Sequence, residues 1–264
     1  YDLHESKTKK GQLANFAGWM LPVYFRGIRE EHQAVRTTAG LFDVSHMGVL
    51  GVDGPGAERF LDMVTTNSVI RLRPGKAQYS YLLAPDGRVT DDILVYRLAE
   101  ERFMVVVNAA NAEEDESWLR AVLNREVQID LNHPARALEV DATLRNLKDP
   151  SSGDDRRVDT ALQGPRSIDI ICNLIEDSSL RDKVRGLRPF EFAEGDIAGI
   201  NAIISRTGYT GEAIGYELYV HPDHMKGLWD KLMEAGQLYG IELAGLGARD
   251  TTRTEAGLPL HGHE

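Results

Sequence analysis

The segment between Tyr79 and Tyr96 constrains the fold more than any other part of this chain. A Pro-Asp-Gly turn at positions 85–87 joins the apolar run Tyr79–Leu83 to a second apolar run, Ile93–Tyr96. A turn of this composition between two apolar runs is typical of a β-hairpin. The sequence therefore predicts two neighbouring antiparallel strands at this place.

Two adjacent carboxylates, Asp91 and Asp92, lie inside the second of these strands. Because side chains alternate along a strand, Asp91 shares a face with Ile93, and Asp92 shares the opposite face with Tyr96. One of the two acids must therefore point toward whatever the sheet covers, where a carboxylate needs partners or a task. In the alternative interpretation, one aspartate caps the turn and the other is solvated. The motif alone leaves both interpretations open.

Composition limits the functions that the chain can have. Its 264 residues suffice for two modest domains or one large one, and 42% of them are hydrophobic, as in a globular protein. The net charge of −11 argues against a nucleic-acid surface, since phosphate recognition needs a concentrated cationic face. The apolar runs are too short to span a bilayer, and no signal peptide is visible. We expect a soluble, cytoplasmic protein that binds neither nucleic acid nor membrane.

The metal-ligating residue types do not form a site in the sequence. The single cysteine, Cys172, excludes an internal disulfide and a cysteine-based zinc site, and its apolar surroundings indicate a buried, inert thiol. The terminal sequence His261-Gly262-His263-Glu264 resembles a ligand cluster, but no other set of residues with ligand spacing supports it. We therefore predict no metal.

Strand and helix patterns divide the chain into two units of similar layout. Both combine antiparallel strands with helices, which predicts an α+β fold. The charged segment 148–157, which contains Pro, Gly and Ser, is the strongest candidate for a linker. The predicted helices are 28–37, 57–64, 113–124, 165–174 and 225–239, and the predicted strands are 42–52, 79–83, 93–96, 103–107, 160–162, 199–205 and 216–220.

Four short segments combine glycines with polar and aromatic residues: 42–48, the Asp91-Asp92 strand, 207–212 and 245–250. Segment 207–212 is not a phosphate loop, and 245–250 lacks the third glycine of a dinucleotide fingerprint, so we predict no nucleotide cofactor. Structural interpretations also exist: His46 as a satisfied buried histidine, and 207–212 as a tight hairpin with two glycines at positive φ. Aromatic faces beside a carboxylate and an arginine suit a flat, polar heteroaromatic ring.

Eight motifs follow one another along the chain, and their order is more specific than any one of them. They are FAGWMLP at 16–22, EHQAVR at 31–36, FDVSHMG at 42–48, VTDDILVY at 89–96, VVNA at 106–109, LQGP at 162–165, RTGYTGE at 206–212 and GLGARD at 245–250. With these motifs the chain resembles the aminomethyltransferase, or T-protein, family of the glycine cleavage system. The resemblance covers nearly the whole chain.

The resemblance implies a fold. It implies two interlocked ferredoxin-like α/β sandwich domains with antiparallel sheets, the folate-binding T-protein fold. The first domain is expected to be discontinuous, comprising 1–48 plus 137–245. The second is expected to comprise 49–136 plus 246–264 and to carry the catalytic hairpin. The family continues into a third, β-barrel domain, which we expect to be missing from this chain.

The resemblance also implies an activity. The family takes an aminomethyl group from the lipoyl arm of the H-protein, releases ammonia and passes the carbon to tetrahydrofolate, giving 5,10-methylene-tetrahydrofolate and the dihydrolipoyl arm. Tetrahydrofolate is thus the expected co-substrate, and the lipoylated H-protein the expected partner. A tetrahydrofolate-dependent demethylase, a non-catalytic folate binder of iron–sulfur assembly and a module fused to a flavin dehydrogenase are the rival interpretations.

Site residues carry over from the family position by position. Asp92 is the implied catalytic residue, Glu217 the acceptor of the pterin N–H pair, and Arg249 a donor to the folate. Phe190 falls where the family often has a tyrosine. The implied folate-binding residues are Met47, Tyr79, Tyr96, Asn108, Phe190, Tyr209, Glu217 and Arg249.

Overall fold

The computed structural model describes residues 7–8, 12–133 and 139–262. The chain forms two compact units. One combines the residues up to His46 with those from Val158 onward and contains a six-stranded sheet; we name it the six-stranded unit. The other, Met47–Arg157, contains a five-stranded sheet and is named the five-stranded unit.

Strands and helices are mixed along both units, which confirms the predicted α+β class. The helices are α1 Ile28–Thr37, α2 Ala57–Val64, α3 Ala112–Leu123, α4 Ser167–Leu174, α5 Ser178–Gly186, α6 Pro222–Gly236 and α7 Leu246–Glu255, with short 3₁₀ turns at Val69–Arg71, Pro150–Asp155 and Gln237–Tyr239. The strands are β1 Leu13–Phe16, β2 Trp19–Pro22, β3 Ala39–Asp43, β4 Gly48–Asp53, β5 Lys76–Leu83, β6 Val89–Ala99, β7 Arg102–Val107, β8 Thr143–Asn146, β9 Val158–Gln163, β10 Phe192–Ile197, β11 Ile200–Ser205, β12 Gly215–Val220 and β13 Ile241–Ala244. In the described ranges, no helix combines the length and the apolar character that crossing a bilayer requires.

The five-stranded sheet is antiparallel throughout, in the order β5-β6-β7-β4-β8. Its core is built where α2 and α3 pack on the strands, with Phe60 and Leu119 among the fully buried side chains. The predicted hairpin is confirmed as β5 and β6. Gly87 supplies the left-handed backbone of its turn, with φ +87°.

The six-stranded sheet has the order β10-β11-β12-β9-β3-β13. Its pairs are antiparallel except β13, which runs parallel to β3 at one edge. Helices α4 and α6 contribute Ile170 and Leu228 to a core shared with Leu218 of β12. Strands β1 and β2 form a separate two-stranded hairpin.

The single strand predicted over 42–52 is wrong, because the chain forms two strands there, β3 and β4, in different sheets. Asp43 Oδ1 accepts a hydrogen bond from Ser45 N at 2.9 Å, which turns the chain between them. Apolar residues alternate with other residues on both sides of this turn, so the sequence pattern predicts one continuous strand.

The structure divides the chain at other residues than the resemblance implied. Residues 137–157, described from 139 onward, belong with the five-stranded unit, because β8 pairs with β4. Residues 246–262 belong with the six-stranded unit, where Arg36 Nε of α1 donates to Glu255 of α7 at 2.7 Å. The boundaries expected at 48/49, 136/137 and 245/246 are therefore corrected to His46/Met47 and Arg157/Val158.

Candidate functional site

Asp91 and Asp92 lie in β6 and point to opposite faces of the five-stranded sheet, as alternation predicted. Asp91 is 0% exposed, on the face that carries Ile93, whereas Asp92 is half-buried. The turn is closed by Asp86, whose Oδ1 accepts from Arg88 N at 3.0 Å. The interpretation of the pair as a turn cap and a solvated acid is therefore wrong.

Asn108, the first residue after β7, joins the two aspartates. Its Nδ2 amide donates to Asp91 Oδ1 at 2.8 Å and to Asp92 Oδ1 at 2.7 Å. Its backbone N–H donates to Asp91 Oδ2 at 2.9 Å. A planar amide directs its two N–H bonds at a fixed angle, so Asn108 sets the orientation of one carboxylate relative to the other.

Two residues at the start of α3 surround Asp91 on its buried side. Asn111 Nδ2 donates to Asp91 Oδ1 at 2.7 Å instead of capping the helix. Asp115 is buried in the first helical turn, and this burial, together with its hydrogen bond to Asp91, raises its pKa to about 9. Neither residue stands out in the sequence, because an asparagine that begins a helix and an acid in its first turn are both ordinary features of helix termini.

Asp92, which is half-buried, contacts an aromatic residue of the hairpin. Tyr79 OH donates to Asp92 Oδ2 at 2.9 Å, and its ring meets Tyr81 edge-on with centroids 5.3 Å apart. Desolvation, the hydrogen bonds and the nearby Asp92 charge raise the pKa of Tyr79, which keeps it a donor. Tyr96 is fully buried, and Met47 is half-buried with its carbonyl oxygen bonded by Lys148 Nζ at 3.1 Å.

A second polar cluster lies in the six-stranded unit, around Glu217 of β12. Thr207 Oγ1 donates to Glu217 Oε2 at 2.5 Å and lies 3.0 Å from Ser205 Oγ. Desolvation raises the pKa of Glu217 and outweighs the Thr207 hydrogen bond and the Arg249 charge, which lower it. Additional hydrogen-bond donors would therefore stabilise the charged form of Glu217.

Arg249, in the first turn of α7, brings a cation to the same cluster. Its guanidinium lies 4.8 Å from the centroid of the Tyr209 ring, within cation–π range, and burial lowers its pKa. Tyr209 OH donates to the Pro259 carbonyl oxygen, which fixes the ring. Phe190 is 44% exposed and left-handed, with φ +63°, a strained conformation for an aromatic residue.

The remaining candidates have structural roles or lie outside the described residues. His46 is buried, with its ring edge-on to Phe16 at 5.4 Å. In loop 207–212 only Gly211 has positive φ, whereas Gly208 is required because a Cβ would collide with Gln163. The hairpin interpretation with two left-handed glycines is therefore wrong. His263 and Glu264 lie outside the described residues.

The contacts and the charges that act on one another therefore define two clusters of side chains. One joins Asp92 to Tyr79 and Asn108, and the other combines Glu217, Arg249 and Tyr209. Carboxylates, aromatic rings and a cation are the groups expected of a protein that binds a polar aromatic molecule.

The family described as the GCVT N-terminal domain matches residues 3–264. The chain belongs to this family.

Two curated relatives are described as aminomethyltransferases. The chain is 43% identical over 265 residues to the aminomethyltransferase of Bacillus subtilis (strain 168), covering 100% of this chain and 65% of that protein. It is 43% identical over 250 residues to the aminomethyltransferase of Geobacillus kaustophilus (strain HTA426), covering 94% and 61%. The chain thus spans less than two thirds of the length of these relatives.

Solved structures extend the likeness to the fold. The crystal structure of glycine cleavage system aminomethyltransferase T from Bartonella henselae matches with a TM-score of 0.80 and 34% identity, over 99% of this chain and 63% of that one. The heterotetrameric sarcosine oxidase from Corynebacterium sp. U-96, in complex with pyrrole 2-carboxylate, matches with a TM-score of 0.51 and 14% identity, over 81% and 92%. The second likeness concerns the fold alone.

Proposed function

We propose that the protein containing this chain is an aminomethyltransferase of a glycine cleavage system, with tetrahydrofolate as co-substrate and the lipoylated H-protein as partner. Family membership and the aminomethyltransferase relatives support this proposal. The observation that carries it is the half-buried Asp92 carboxylate, which is oriented by two different donors, Tyr79 OH and Asn108 Nδ2. A carboxylate positioned in this way can act on a nitrogen in a partly desolvated environment.

The proposed reaction moves one carbon between nitrogen and sulfur atoms. The aminomethyl carbon loses its bonds to the lipoyl sulfur and to the amino nitrogen, and gains bonds to N5 and N10 of tetrahydrofolate. The two protons released from N5 and N10 are taken up by the departing ammonia and by the sulfur, so the atoms balance and no oxidant is required.

Asp92 is the proposed catalytic residue. Its carboxylate accepts a hydrogen bond from N5–H, orients the N5 lone pair toward the carbon and stabilises the positive charge that develops on that nitrogen. Tyr79 and Asn108 hold the carboxylate in place during this step, because each donates to a different oxygen of it.

Glu217 and Arg249 are the proposed recognition residues. The Glu217 carboxylate suits the paired N–H donors of a pterin, and Arg249 supplies N–H donors for an oxygen of the folate. Their fit is supported by the raised pKa of Glu217, since two further donors would offset the desolvation that raises it. Tyr209, Met47, Tyr96 and Phe190 are proposed to contribute to folate binding, as the family resemblance implies.

The test is ammonia release by the intact protein from aminomethylated H-protein, with and without tetrahydrofolate. We expect fast release that requires tetrahydrofolate and forms 5,10-methylene-tetrahydrofolate in equal amount. Folate binding without such release, together with demethylation of a small methylated amine, would instead establish the demethylase alternative.

A further inference from the structure

Asp91 and Asp115 form a pair of carboxyl groups in the core of the five-stranded unit. Both are at most 2% exposed. Asn111 places them side by side, because its Nδ2 donates to Asp91 Oδ1 at 2.7 Å and its carbonyl oxygen accepts from Asp115 N at 2.8 Å. The contact between the two carboxyl groups opposes ionisation of Asp115. Two buried carboxyl groups in contact cannot both be ionised at neutral pH without a large electrostatic cost. One of them must therefore carry a proton, which lies between them.

The hydrogen bonds identify the residue that carries the proton. Asp91 accepts from the backbone and side-chain N–H groups of Asn108 and from Asn111, as an anion does. Asp115 Oδ2 is buried, and no N–H or O–H group in the described part of the chain donates to it. This is expected of a carboxyl oxygen that carries the proton and is itself the donor. The charged groups that face Asp115 are Asp91 from β6 and Glu114 from its own helix, and both oppose its ionisation.

A chain of contacts runs from this proton to the candidate catalytic group. Asp115 donates to Asp91, Asp91 accepts from the Asn108 amide, and the same amide donates to Asp92 at 2.7 Å. Each member fixes the next, because Asn108 Nδ2 has only two hydrogens and each is directed at one aspartate.

We propose that Asp115 is a positioning residue for Asp92, a protonated carboxyl that holds Asp91 and, through it, the Asn108 amide that orients the Asp92 carboxylate. The role in catalysis rests on the proposed function, whereas the protonated pair itself does not. Ionisation of Asp115 places a second anion beside Asp91, so the chain of hydrogen bonds breaks at high pH.

The first measurement is infrared difference spectroscopy of the intact protein against its Asp115→Asn variant. We expect the C=O band of a protonated, buried carboxyl in the wild type at pH 7, lost as the pH rises through about 9 and absent from the variant. Glu114→Gln, which removes an exposed carboxylate from the same helical turn, is the matched control and should keep the band. A wild type without this band would overturn the proposal, whatever the protein's activity.

The second measurement is kcat against pH for aminomethyl transfer. Above pH 9 the wild type should lose roughly tenfold in kcat per pH unit, with an unchanged KM for tetrahydrofolate. Asp115→Asn keeps a donor but cannot ionise, so its profile should stay flat relative to its own value at pH 7. Equal alkaline limbs in both proteins would overturn the positioning role and leave the proposed function standing. The infrared band without any aminomethyl transfer by the wild type would overturn the proposed function, and with it the role of Asp115 in that reaction.

Discussion

At the scale of single residues, identical side chains acquire different chemistry from their surroundings. Asp91 and Asp92 are neighbours in β6, yet one is enclosed among the donors at the start of α3 and the other is half-buried beside Tyr79. Only the second has an accessible side from which it can reach a substrate. The difference arises from strand alternation, which turns adjacent residues to opposite faces.

Asp92→Asn should cut kcat by about a hundredfold or more, because a neutral amide cannot stabilise the positive charge that develops on N5. Folding and tetrahydrofolate affinity should change little, since Asn108 and Tyr79 can still bond to the amide. Steady-state kinetics and a thermal melt check this. Asp86→Asn, in the exposed turn of the same hairpin, is the control and should behave as the wild type. Normal turnover by Asp92→Asn would remove this residue from the mechanism.

Glu217→Gln should weaken tetrahydrofolate binding by about tenfold to a hundredfold, because an amide offers one acceptor and one donor to a pair of N–H groups. Calorimetric titration measures this Kd. Glu194→Gln lies exposed in the same sheet and should leave the Kd unchanged. An equal Kd for Glu217→Gln and the wild type would refute the recognition role.

At the scale of elements, the start of helix α3 makes stability depend on pH. The pKa of Asp115 rises from 3.8 to about 9 on folding, so the folded protein binds a proton that the unfolded chain has released. The contribution of Asp115 to the free energy of unfolding is fully present below pH 3.8 and is lost as the pH rises toward 9. Relative to Asp115→Asn, the wild type should lose about 1.4 kcal/mol of unfolding free energy per pH unit between pH 5 and 8. Urea unfolding at several pH values tests this, and a constant difference between the two proteins would contradict it.

Arg36 of α1 connects loop 207–212 to α7. Its guanidinium donates to Glu212 at 2.6 Å and to Glu255 at 2.7 Å, and to the carbonyl oxygens of Thr210 and Thr252 at 2.8 and 3.1 Å. Arg36→Ala should lower the free energy of unfolding by about 2 kcal/mol, since several acceptors lose a charged donor together.

The exposed pair of Arg26 and Glu242, 3.0 Å apart, provides the control for Arg36 in the same unit. Arg26→Ala should cost less than about 0.5 kcal/mol, because water screens an exposed ion pair. Chemical denaturation of both variants makes the comparison. Equal losses would show that the connections of Arg36 add nothing beyond an ordinary surface pair.

At the scale of the whole molecule, the five-stranded unit is one continuous stretch with its own core, Met47–Arg157. Expressed alone, it should unfold cooperatively on heating. Phe60→Ala should destabilise it by about 3–5 kcal/mol through the cavity left behind. Ile70→Ala, at a 61% exposed site, should cost less than about 0.5 kcal/mol. A gradual melt of the isolated unit would show that its core is insufficient.

The local patterns of the sequence determined the hairpin, the bounds of α1 and α2, and the opposite orientation of Asp91 and Asp92. Each depends on spacing within a few residues, which the backbone period translates directly into structure. The motifs likewise pointed to the family that the comparisons show.

Only the tertiary structure decided the division of the chain, the break between β3 and β4, and the burial of Asp115. The division depends on which distant strands pair, as β8 with β4. Asp115 would be an ordinary first-turn acid in an isolated helix; it holds a proton because β6 places a second buried carboxyl against it. The ionisation of a side chain is set by the groups that the fold gathers around it, and no local pattern records those groups.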